Sequence, residues 1–87
     1  MDYIEMIDEY INGDILYIKE CIYDNSIDTE DAAEDLHFLR KINKKDKQRI
    51  AEYLKSNLNE EYCDDEDAIN DIIHYYLYDI LYNEKRN

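Results

Sequence analysis

The sequence predicts an all-α fold, a compact bundle of four to five short helices, on three observations. It has no proline and one glycine in 87 residues, so the punctuation of β-rich folds is missing. Its apolar residues recur three and four apart, the period of a helix with one buried face. Aspartates stand just ahead of these periodic stretches, where a carboxylate can accept from the free backbone N–H groups of a first turn.

The elements follow in order. Ile4, Ile7 and Ile11 form the first stripe, with Asp2 as N-cap. Asn12-Gly13-Asp14 then puts a C′ glycine beside a fresh N-cap, which predicts a break at Gly13 and a second helix carrying Ile15, Ile18 and Ile22. The same steps would suit one unbroken helix that tolerates glycine at about 1 kcal/mol. Residues 24–28 read as a polar connector. A helix over 29–42 follows, capped by Asp28, with Glu30 and Asp31 at the positive end of its dipole and Arg40 and Lys41 at the negative end. Ala32, Ala33, Leu36, Phe38 and Leu39 face inward. After a connector at 43–46, a helix over 47–58 is capped by Asp46 and buries Ile50, Ala51, Leu54 and Leu58. The last helix spans 66–83, capped by Asp64 or Asp65. Its Ile69, Ile72, Ile73, Tyr76, Leu77, Ile80 and Leu81 share one face.

The length predicts one acidic helical domain over residues 1–87, near the lower limit for a self-sufficient core. A hydrophobic fraction of 45% argues against wholesale disorder. No apolar run is long enough to span a membrane, and the N-terminus does not read as a signal peptide, so the expected location is the cytoplasm, with Cys21 and Cys63 reduced. The abundance of Ile, Asn, Lys and Tyr suits an AT-rich genome, such as that of a low-GC bacterium or its phage.

A net charge of −13 repels itself and calls for a reason. It is also uneven. Residues 1–39 carry −11, residues 50–87 carry −7, and between them Arg40, Lys41, Lys44, Lys45, Lys47 and Arg49, offset by Asp46, make an island of +5. The island reads as a dipole-matched connector, as a dock for the acidic run of its own chain or of a dimer mate, or as a phosphate contact. Strong acidity overall makes direct nucleic-acid binding unfavourable, because such binding rests on neutralising phosphates.

Six acids fall within residues 60–67: Glu60, Glu61, Asp64, Asp65, Glu66 and Asp67. One or two would cap the following helix; six suit a basic surface. Calcium fits poorly. Counted from Asp64, the fifth loop position is Ala68. Over residues 24–35 the acids fall better, but Thr29 stands where the EF-hand loop needs glycine. On the last helix, Asp71, Tyr75, Tyr78, Asp79 and Tyr82 are placed outward with His74, an Asp/Tyr composition typical of interface centres. Tyr3, Tyr10 and Tyr17, seven apart, make a helix-packing or dimer seam.

No nucleophile elbow, phosphate loop or metal-ligand spacing is present, so neither an enzyme, a cofactor nor a metal is expected. Cys63 beside Asp64 is in the wrong electrostatic setting for a nucleophile. Acids one helical turn apart are spaced by about 5–6 Å, within a factor of two of phosphates on a strand. The expectation is a small acidic inhibitor that mimics nucleic acid and blocks a basic nucleic-acid-binding protein, such as a CRISPR or restriction nuclease, in the manner of phage anti-defence proteins. An immunity protein or antitoxin of a nuclease toxin, and a dimerising helical adaptor, are the alternatives.

Overall fold

The computed structural model describes residues 2–58 and 65–86. Among them are four helical stretches and no strand, as the periodicity predicts. Helix α1 is Tyr3–Tyr23, α2 is Thr29–Arg40 and α3 is Lys44–Asn57. The fourth stretch is α4, Glu66–Tyr75, continued by a π-helical segment Tyr76–Leu81 and by α5, Tyr82–Arg86. The molecule measures 41 × 28 × 18 Å, and its thin dimension is that of about two helix layers.

The break expected at Gly13 does not occur. Helix α1 runs through it for 21 residues, and a Cβ at Gly13 would meet nothing within 4 Å. Asp14 does not leave the helix to cap a new one; its carboxylate instead accepts from the Tyr78 hydroxyl across the bundle at 2.8 Å. With α1 packed against α2, α3 and α4, tertiary burial of Ile7, Ile11 and Ile18 outweighs the local cost of one glycine. Gly13→Ala is therefore expected to stabilise the fold by about 0.5–1 kcal/mol, read from the midpoint of urea unfolding.

Asp2 and Asp28 cap α1 and α2 as expected. Helix α3 starts three residues before the predicted boundary. Its cap is Asn43, and Asp46 sits in the first turn, where its carboxylate accepts the Asn43 N–H while Asn43 accepts the Asp46 N–H. That is a reciprocal capping box. Asp65 caps α4 by accepting from Asp67 and Ala68 N–H groups. Because α2 begins at Thr29, residues 24–35 do not form the single loop that calcium ligation would need.

One contiguous core joins α1 to α4 and the π segment, with Tyr82 of α5 packed against it: Ile7, Ile11, Ile18, Ala32, Phe38, Leu39, Ile42, Ile50, Ala51, Leu54, Ile69, Ile73, Tyr76, Leu77 and Leu81. Ala33, predicted inward, is exposed, and Ile72 and Ile80 are half-buried. The Tyr82 N–H reaches back to the Leu77 carbonyl, the i→i+5 bond of a π-helix. Through this widened turn Tyr76, Leu77 and Leu81 all enter the core while Tyr78 reaches Asp14. No described helix is long and apolar enough to cross a membrane.

Candidate partner-binding surface

At the seam of α1 with α4 and the π segment, three rings meet. The Tyr10 hydroxyl lies 2.9 Å from His74 Nδ1, and the His74 ring packs on Tyr78 with centroids 4.7 Å apart. Acids on three helices act on these rings: Asp14 of α1, bonded to the Tyr78 hydroxyl, and, through their charge, Asp71 of α4 on Tyr10 and Asp35 of α2 on Tyr78. Burial first, then the charges of Asp14 and Asp71, push the Tyr10 hydroxyl up to about 12. Burial, the bond to Asp14, and the charges of Asp14, Tyr10 and Asp35 hold Tyr78 well above the usual phenol range. Both hydroxyls therefore stay protonated throughout the working pH range, and that of Tyr78 donates to Asp14. Asp35 is itself pushed up by burial and by the neighbouring charges of Glu34 and Asp31. Asp14, Asp35 and Asp71 make no ion pair with any described residue.

Two consequences are testable. Tyr78→Phe removes a partly buried bond to a charged group and is expected to cost about 1–2 kcal/mol in urea unfolding. Asp35 has a folded-state pKa above its unfolded value, so it favours folding at low pH, and that contribution is lost as pH rises through the folded value. Asp46 and Glu84 run the other way. At Asp46 burial raises the pKa, but bonds from Lys85 and the Asn43 N–H, with the charges of Lys85 and Arg49, bring it below the usual range. At Glu84 the bond from Arg49 lowers it. Their contributions are present above the unfolded carboxylate pKa of about 4 and vanish as pH falls through the folded values. The melting temperature is expected to rise from pH 7 towards the carboxylate range and then fall below it; Asp35→Asn should flatten the upper limb alone.

The basic island divides in two. Lys47 pairs with Asp8 of α1 at 2.6 Å, and Arg49 grips Glu84 of α5 with two hydrogen bonds of 2.8 and 2.9 Å. Lys85 of α5 pairs with the buried Asp46 at 2.9 Å. These pairs tie α3 to both neighbouring helices. Arg40, Lys41, Lys44 and Lys45 are exposed and make no ion pair with a described residue. Lys47 and Arg49 thus pair with Asp8 and Glu84, not with the acidic run at 60–67, most of which lies outside the described residues.

Of the residues assigned to the partner surface from sequence, Glu60, Glu61 and Asp64 lie outside the described residues. Asp65, Glu66, Asp67, Asp71 and Asp79 are exposed, and Asp65 also serves as a cap. The tyrosine stripe is corrected. Tyr75 is open, at 47% exposure, but Tyr78 and Tyr82 are half-buried between helices. Tyr82 donates to Glu34 of α2 at 3.0 Å and meets Phe38 edge-to-face, while Tyr78 also packs on Phe38. A regular α-helical wheel puts them outward; the α1 and α2 carboxylates supply the hydrogen bonds that draw them in. In the first seam, Tyr3 and Tyr10 pack against the core and Tyr17 is exposed.

Sequence reasoning misses the Tyr10–His74 pair and the role of Tyr53. The Tyr53 ring lies nearly parallel to Tyr75, with centroids 6.2 Å apart, and against Tyr76 at 5.0 Å. Only the α3–α4 docking brings these residues together; no local signal marks them. His37 lies in a shallow pocket with Phe38, Lys41, Tyr82, Lys85 and Glu34. Among the described residues no group of three or more His, Cys, Asp or Glu side chains is placed to hold a metal ion. Comparisons with protein-family models, curated proteins and solved structures return no match.

Proposed function

We propose that the protein is an acidic inhibitor that occupies the nucleic-acid site of a basic protein, such as a nuclease of a bacterial defence system. The observation that carries this reading is that half-buried Asp14 and Asp35 and exposed Asp71, on three helices, all act on the Tyr10 and Tyr78 hydroxyls and make no ion pair with a described residue. Held on packed helices, these charges are fixed in place before a partner arrives, as phosphates are on a structured strand. Exposed Glu66, Asp67 and Asp79 extend the negative charge along α4 and the π segment. Tyr75 offers aromatic area where a nucleic-acid channel would stack a base. Lys47 and Arg49, two members of the basic island, are engaged within the fold, so they add little cationic surface to oppose such a partner.

The test is affinity capture of host proteins on the immobilised chain, followed by elution with nucleic acid and, separately, with salt. The reading expects a nucleic-acid-binding protein released by both. A captured protein that neither releases would overturn it.

A further inference from the structure

The geometry points to a receptor for an arginine side chain of the partner, in the groove between α3 and α4. This deepens the proposed function and rests on the basic partner it posits. The groove is open, about 400 Å³, and lined by Tyr53 and Asn57 of α3 and by Asp71, Ile72 and Tyr75 of α4. Its chemistry is one-sided. It offers two nearly parallel rings, the Asp71 carboxylate, and an Asn57 amide whose Nδ2 donates to the Tyr53 carbonyl at 2.8 Å, leaving Oδ1 as an acceptor. Among the described residues no cation lines it, and Asp71 makes no hydrogen bond or ion pair with any of them.

A guanidinium matches this set. It is planar, carries five donors and no acceptor, and stacks on aromatic faces while pairing with a carboxylate. Lysine has a compact, strongly hydrated head that cannot stack in that way. The molecule already holds one such arrangement within itself: Arg49 lies 5.8 Å from the Tyr76 ring centre and forks onto Glu84. In the neighbouring groove, Tyr75 and Asp71 present the same two kinds of partner, an aromatic face and a carboxylate.

The test uses the intact chain and two probes, N-acetyl-arginine amide and N-acetyl-lysine amide, followed by NMR. The arginine probe should shift the ring signals of Tyr53 and Tyr75 and the Asn57 side-chain amide, with affinity at least about fivefold tighter than the lysine probe. Tyr75→Leu, which keeps apolar area and removes the ring, and Asp71→Asn should each erase that preference while the remaining spectrum stays dispersed. Equal binding of the two probes, or shifts spread over the carboxylates without focus on the groove, would overturn the receptor. The two readings fail separately. Arginine preference without competition by nucleic acid removes mimicry and keeps the groove; competition without arginine preference does the reverse.

Discussion

A variant carrying Asp14→Asn, Asp35→Asn and Asp71→Asn is expected to fold as the parent does and to bind the captured partner at least about 100-fold more weakly at low salt. Close charge pairs across interfaces couple by about 1.5–7 kcal/mol, so three even at the low end exceed that loss before non-additivity is allowed for. Folding should survive because an asparagine in place of Asp14 can still accept from the Tyr78 hydroxyl, and because the mutations relieve repulsion around Tyr10 and Tyr78. The control removes the same number of charges elsewhere: Glu5→Gln, Glu20→Gln and Glu52→Gln, all exposed. Calorimetric titration of both variants separates position from net charge. A loss of similar size in the control would mean that bulk acidity, rather than this cluster, does the binding.

The largest effect on stability is expected at Leu77. It is fully buried within the π segment, between Tyr76, which packs on Tyr53 of α3, and Tyr78, which reaches Asp14 of α1. Leu77→Ala should cost about 2–5 kcal/mol in urea unfolding, the transfer term plus the cavity left behind. For a chain of this length, whose total stability is on the order of 4–13 kcal/mol, that is a large share and would leave some of the protein unfolded at 37 °C. The unusual backbone makes the site less able to collapse, because closing the cavity would require the widened turn to tighten and carry Tyr78 away from Asp14. A cost under about 1 kcal/mol would show that the π segment relaxes freely and does not fix the cluster's geometry.

Much of the fold is legible in the sequence because it rests on local rules. Asp2 and Asp28 are caps in sequence and in structure, and the Ile69, Ile73, Leu77 and Leu81 stripe is buried as its period implies. The errors fall where tertiary contacts override local signals. Gly13-Asp14 carries a stop and a start, yet Tyr78, 64 residues away, takes the Asp14 carboxylate. Asp46 reads as a cap because Asn43, a cap of equal quality three residues earlier, falls within an equally polar connector. The candidate surface is legible as composition and not as position. The wheel finds acids and tyrosines on α4, but regular helical geometry cannot anticipate a π turn, and Tyr78 and Tyr82 lie in the seam rather than on the surface. Tyr53, Asn57 and Tyr10 become relevant only when α3 and α1 are set against α4.

Under the proposed function, the surface that carries Asp14, Asp35 and Asp71 stands in for nucleic acid. The most direct test is an equilibrium competition, in which the apparent Kd of the protein for the captured partner is measured over a series of concentrations of that partner's own nucleic acid. The prediction is an apparent Kd that rises linearly with nucleic-acid concentration without saturating, as mutually exclusive binding requires. An apparent Kd that stays constant, or that rises and levels off while both ligands remain bound, would contradict it.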